Sequence, residues 1–167
     1  MTVEMKQGAI ANVNGKIFEK QLIPLFTEHG YNVMLYSEFK KLGISLDEAG
    51  KMVIRQYPFD SIYQHKGKTE FLLVNNERGR RIRIECKWQQ AAGSVDEKFP
   101  YMYLNCIFGF EETEIILLVD GNGFKPGALT WLKQSVQDRW LLEENDPKKI
   151  QVMSISEFTA YFNCYLR

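Results

Sequence analysis

The chain is poor in the residues that mark secreted, zinc-stapled or membrane-embedded proteins. Three cysteines, Cys86, Cys106 and Cys164, stand far apart, and there are only two histidines. With no C-x-x-C pair and no Cys/His cluster, the common structural zinc modules are excluded. The odd cysteine count and the apolar surroundings lead to an expectation of reduced, buried thiols in a cytoplasmic protein. No basic segment followed by an apolar run opens the sequence, so no signal peptide is expected. No apolar run approaches the ~20 residues of a membrane span. An excess of either charge is also missing: 21 basic and 21 acidic residues balance. No global field draws the protein to nucleic acid or membrane, so an anionic partner must be held by a local patch. Repeats, low-complexity segments, helix-turn-helix, finger and aromatic RNA-binding motifs are absent.

What is present is one domain's worth of chain, 167 residues of ordinary globular composition. Its most informative stretch is Arg81-Ile82-Arg83-Ile84-Glu85-Cys86-Lys87-Trp88-Gln89. A strand has a side-chain period of two. Arg81, Arg83, Glu85, Lys87 and Gln89 therefore share one face, and Ile82, Ile84, Cys86 and Trp88 the other. A carboxylate on the polar face can hold a hard cation. A neighbouring ammonium can steady charge developing on a phosphate. The plain alternative is an edge strand with a solvated charged face. Arg78, Arg80, Arg81 and Arg83 form a dense basic run at its start, either a phosphate-binding patch or a solvated hairpin tip.

Taken in order, residues 1–12 read as loosely docked. A helix is expected after Asn14-Gly15, with Phe18, Leu22, Leu25 and Phe26 on one stripe, a bend at Pro24 and a stop at Gly30. Glu19 lies beside that stripe, an acid that either reaches water from the helix flank or aims at a metal site. A short strand is expected over Tyr31–Tyr36. Ser45 with Glu48 reads as a capping box opening a short helix through Leu46, Ala49, Met52 and Val53, closed by Pro58. Three strands follow, Phe59–Gln64, Glu70–Asn75 and Arg81–Gln89, joined by turns at His65–Lys68 and Glu77–Arg80. The second turn sets Glu70 within one position of both Glu85 and Lys87 across the hairpin. It joins Glu85 at a metal or pairs with Lys87 as a cross-strand ion pair. Asp60 competes as the first acid. Ser94 with Glu97 looks like another cap, with a regular helix from about Phe99. The continuous run within Glu114–Asp120 suits a strand buried on both faces. A helix over Ala128–Arg139, a strand over Ile150–Met153 and a helix over Glu157–Leu166 complete the reading.

Helix, three-strand meander, helix, buried strand is an order that resembles the PD-(D/E)XK, or restriction-endonuclease-like, nuclease superfamily. Glu85-Cys86-Lys87 matches its acid-x-Lys, and Glu70 stands where its first acid belongs, although that position is usually Asp. Gly15-Lys16-Ile17-Phe18-Glu19 is similar to the first helix of archaeal Holliday-junction resolvases and Mrr-type nucleases, with Glu19 at their helix carboxylate. The resemblance implies an α/β fold, a central mixed sheet flanked by helices. It implies a single nuclease domain with its core at about 14–120 and an extension over 121–167. It further implies Mg²⁺-dependent hydrolysis of DNA phosphodiester bonds, of restriction type or specific to junctions and other structures, with Mn²⁺ able to substitute. Glu70, Glu85 and the Cys86 carbonyl would hold the metal, and Lys87 would position or help deprotonate a water. Glu19 would complete the outer shell, and Gln89 would orient a water or a ligand. Arg78, Arg80, Arg81 and Arg83 would contact phosphates. A homodimer or higher homo-oligomer is expected, its interface drawn from Ser37–Tyr57 or the C-terminal helix. The alternatives are a non-catalytic nucleic-acid-binding module and a nuclease subunit that needs a partner.

Overall fold

The structure, a computed structural model, describes the backbone of residues 7–167 and the side chains from Lys16 onward except that of Glu19. Six strands form one mixed sheet in sequence order: β1 (Asn32–Leu35), β2 (Lys51–Asp60), β3 (Lys66–Asn75), β4 (Arg80–Trp88), β5 (Glu114–Asp120) and β6 (Lys149–Met153). β2, β3 and β4 make the antiparallel meander; β1 joins β2, β5 joins β4 and β6 joins β5 in parallel. Five helices flank the sheet: α1 (Gln7–Glu28), α2 (Tyr36–Leu42), α3 (Phe99–Phe108), α4 (Pro126–Gln137) and α5 (Ile155–Tyr165). This is the expected α/β architecture.

The sheet is covered on both sides because its strands are apolar on both. On one face Phe18, Leu22 and Phe26 of α1 and Phe158 and Phe162 of α5 pack over Phe71, Leu73, Ile82, Ile84 and Cys86. On the other, Phe99, Tyr103 and Cys106 of α3 and Leu132 of α4 pack over Ile115, Leu117 and Val119. A smaller cluster of Phe39, Met52, Ile54, Leu72 and Val74 closes the β1 end. The segment 121–167, expected as an extension, therefore completes both layers. Among the described residues no helix is long and apolar enough to cross a membrane.

Several local expectations give way. α1 starts at Gln7, ahead of Gly15; an interior glycine costs only about 1 kcal/mol, which the packed stripe from Phe18 to Phe26 outweighs. Ser45 and Glu48 do form the capping box, but it opens only a 3₁₀ turn, Leu46–Glu48. Gly50 (φ +67°) then redirects the chain, and Met52 and Val53 lie in β2. Pro58 sits inside β2, beyond Leu35↔Arg55, the last pair with β1, where β2 has no neighbour on that side to need its missing N–H. The turn falls at 61–65, so Lys66 and Gly67 are already in β3. The Ser94 cap does not form; a 3₁₀ turn over Asp96–Lys98 leads into α3 without a side-chain cap. Cys86 and Cys106 are buried as expected, whereas Cys164 is exposed.

Candidate active site

The β3–β4 hairpin turns through a 3₁₀ turn capped by Asn75, whose side chain accepts the Arg78 N–H, with Gly79 left-handed at φ +60°. That tight geometry fixes the register Asn75↔Arg80 through Phe71↔Ile84, where the ladder stops. One step further on, Glu70 stands level with Glu85. Its carboxylate accepts the backbone N–H of Cys86 at 2.8 Å, a group that a continuing ladder would have used. Glu70 thus sits where β3 and β4 part.

A second irregularity lies on the other side of Glu70. The β2–β3 ladder pairs Arg55↔Phe71 and Tyr57↔Thr69 and skips Gln56 opposite Glu70. Gln56 is left-handed, φ +55°. Val53 packs under α1, while Tyr57, four residues on, packs with the opposite face. Strict alternation would put both on one side, so the left-handed residue absorbs the switch. Strained non-glycine residues of this kind gather at functional sites. Nothing in the sequence marks Gln56.

Glu85 and Lys87 share the face of Leu117 and Val119, their partners on β5, and so lie beneath α3. Their side chains are 13% and 20% exposed, and the Lys87 ammonium donates to Glu85 Oε1. It also donates to the Cys86 carbonyl at 3.2 Å. Burial, and then the charge of Glu85, push the Glu70 carboxyl up to about 8. Burial pulls Lys87 down, but Glu85 and Glu70 together outweigh it and hold the ammonium above its ordinary range. Burial also raises the Cys106 thiol on α3, with Glu85 adding to it, so this cysteine is inert.

The donor set fits a hard cation. Two carboxylates converge, and Glu85 Oε2 is buried with no hydrogen-bond partner. A buried carboxylate oxygen left unsatisfied is costly unless an ion completes it. The Cys86 carbonyl points to the same place, while its side chain lies in the core as expected. Among the described residues no group of three or more His, Cys, Asp or Glu side chains forms a metal cluster. The third expected acid, Glu19, has its side chain outside the described residues; its neighbour Phe18 meets Trp88 edge-on at 5.7 Å, which brings the α1 backbone to the end of β4.

The remaining expected residues are placed elsewhere. Asp60 pairs with Lys66 in an exposed hairpin contact. Gln89 is buried and committed: Nε2 donates to Asp96 Oδ1 (3.0 Å) and the Gly123 carbonyl (2.8 Å), and Oε1 accepts the Val95 N–H (3.0 Å). It fastens the loops after β4 and β5 rather than facing the acids. Asp96, not among the expected site residues, shares that clamp and accepts the Lys125 N–H at 3.1 Å. Arg83 is 2% exposed. It makes two bonds to Glu112, at 2.5 and 2.8 Å, and lies over the rings of Tyr57 and Phe110. Arg80 pairs with Glu114 and Tyr161, and Arg81 with Asp47. Arg78 is exposed on the turn. From Arg81 to Glu85 is ~13 Å along the strand, so Arg78, Arg80 and Arg81 lie toward the other end of the β3–β4 hairpin from the acids, while Arg83, two residues from Glu85, is enclosed by its own partners.

A mixed sheet with an antiparallel meander, an acid at the point where two strands part and an acid-x-Lys on the second of them define a nuclease-type core. The chain belongs to the PD-(D/E)XK nuclease superfamily: the model of that superfamily's domain matches residues 10–166. Set against curated proteins and solved structures, the chain has no match.

Proposed function

We propose that this protein is a metal-dependent endonuclease that hydrolyses DNA phosphodiester bonds, with Glu70, Glu85 and Lys87 as its catalytic residues. The observation that carries the reading is the meeting of these three groups where β3 and β4 part, with Glu85 Oε2 buried and unpartnered. Glu70, Glu85 and the Cys86 carbonyl would hold Mg²⁺, and Mn²⁺ would serve in its place. When bound, the ion supplies charge neutralisation at the phosphate and a more acidic water. Lys87, kept protonated by the two acids, acts as a fixed positive charge and donor at the scissile phosphate rather than as a base. Gln89 and Asp96 hold the rim loops in place. Arg78 is the member of the basic run most open to a phosphate, because Arg83 is enclosed and Arg80 and Arg81 are ion-paired. Cutting both strands of a duplex calls for two sites, so the acting form is taken to be a homodimer. Exposed Leu42 and Tyr165 lie on the two segments expected to supply its interface. The test is purified protein with Mg²⁺ or EDTA against plasmid, linear duplex, single strand and a four-way junction, alongside Lys87→Ala. Cleavage that needs both the metal and Lys87 supports the reading. Binding without cleavage in any metal would leave a binding module instead.

A further inference from the structure

The tip of the β2–β3 hairpin, residues 61–65, carries a feature that hydrolysis does not use. Tyr63 is 68% exposed, one of the most exposed large apolar side chains in the protein. It is nevertheless held in place. Its ring stacks on Tyr101 of α3, centroids 4.9 Å apart at 27°, and meets His65 edge-on at 6.3 Å. The tip beneath it is rigidly built. Ser61 is buried; its hydroxyl accepts the N–H groups of Tyr63 and His65 at 3.3 and 3.4 Å and contacts His65 Nδ1 at 3.2 Å. Buried Asn105 accepts the Ile62 N–H at 3.0 Å and donates to the Tyr101 carbonyl at 2.8 Å, which pins the tip to α3. Gly67 completes the fit, since a side chain there would collide with the Phe59 ring.

An aromatic ring fixed by one face and open on the other is a stacking platform. Two cations follow the tip at the start of β3. Lys68 is exposed, and Lys66 is held only by the surface pair with Asp60, at 76% and 71% exposure. Such a pair is weak and readily exchanged for a phosphate. The platform also stands on the side where cleavage would occur, because Tyr101 belongs to the helix that covers Glu85 and Lys87. The tip begins ~17 Å from Glu70 along the strand direction of β3.

We infer that Tyr63, stacked on Tyr101, binds an unpaired nucleobase of the substrate strand, with Lys66 and Lys68 on the flanking phosphates. This rests on the nuclease reading and names its substrate class: DNA with a single-stranded segment next to the cut. Base stacking on aromatics is tolerant of sequence and strong enough to be read by substitution.

The test uses a single-stranded oligonucleotide carrying 2-aminopurine, whose emission falls on stacking, and a blunt duplex of the same length, both in Ca²⁺ buffer. The wild-type protein is expected to quench the probe. Tyr63→Ala should lose the quenching and weaken single-strand binding about tenfold, leaving duplex binding unchanged. Tyr63→Phe should keep both properties; Tyr63→Leu, which keeps apolar packing on Tyr101, should lose them, and this pair decides the matter if the alanine variant does not fold. Single-strand binding that is equal in wild type, Tyr63→Ala and Tyr63→Leu overturns the platform and leaves the nuclease reading standing. Quenching without cleavage in Mg²⁺ supports the platform and sinks the nuclease reading. Failure of the wild type to bind either DNA overturns both.

Discussion

Glu70 Oε2 accepts the Cys86 N–H at 2.8 Å, so the candidate first acid is fastened to the strand that carries the acid-x-Lys pair. The bond replaces a rung of the β3–β4 ladder and holds a second carboxylate near Glu85, an arrangement that like-charge repulsion opposes in the absence of a cation.

From this follows an ordering of the candidate acids. Glu70→Gln should reduce cleavage by about a hundredfold or more and weaken Mg²⁺ binding in calorimetric titration. Asp60→Asn should do neither, because Asp60 sits in an exposed pair with Lys66. A larger effect from Asp60 would contradict the assignment.

The metal-free protein should carry the signature of Glu70 in its pH dependence. Burial and the Glu85 charge raise its folded-state pKa from 4.5 to about 8. The folded state therefore holds this proton more tightly than the unfolded chain. The stabilising effect is complete below the unfolded value and is lost as pH rises from about 4.5 through about 8. Urea unfolding in EDTA across that range should show stability falling with pH, and Glu70→Gln should flatten the fall. A slope that persists unchanged in the variant would place its origin elsewhere.

For Lys87→Ala the expected result is loss of cleavage with the circular dichroism spectrum retained. Removing the ammonium also leaves Glu85 and Glu70 facing each other without a counter-charge. Mg²⁺ should then raise the melting temperature of the variant more than that of wild type. Restored cleavage at high pH would argue instead that the lysine serves as a base, since hydroxide can replace a base but not a positive charge.

Arg83→Ala should act on stability rather than on DNA. Its guanidinium is enclosed by Glu112, the Pro58 carbonyl, Thr69 and the rings of Tyr57, Phe59 and Phe110. Breaking a buried pair from one side costs ~3–5 kcal/mol, measurable by denaturant titration. A phosphate contact would instead lower the salt dependence of DNA binding by about one ion. Comparing the salt slopes of Arg83→Ala and Arg78→Ala separates the two roles.

Gln89→Ala should loosen the clamp between the loops after β4 and β5. Two of its hydrogen bonds go to Asp96 and the Gly123 carbonyl. Gly121, at φ +109°, has no room for a side chain against the Gln89 backbone. Gly121→Ala and Gln89→Ala should therefore both lower the melting temperature, and Asp96→Asn should do so less. A Gln89→Ala protein with unchanged stability but no activity would return Gln89 to the catalytic set.

Much of this site was legible in the sequence because it depends on short-range regularities. The period of a strand put Glu85 and Lys87 on one face and Cys86 in the core. The length of one turn set Glu70 opposite Glu85. The continuous apolar run of β5 announced a strand covered on both sides. These follow from backbone geometry, which acts over neighbouring residues and is written in their order. The fate of the arginines was decided by the tertiary structure: the acids that take them, Asp47, Glu112 and Glu114, arrive from 34, 29 and 34 positions away. The start of β2, Met52 and Val53, reads as helix in the sequence because the Ser45–Glu48 cap is real, while the left-handed turn at Gly50 that ends it is a property of the folded chain. The burial of Gln89, the strain at Gln56 and the stack of Tyr63 on Tyr101 likewise come from elements packed across the sheet. Long-range contact chooses which polar groups are consumed and which stay open, and a list of neighbours along the chain does not contain that choice.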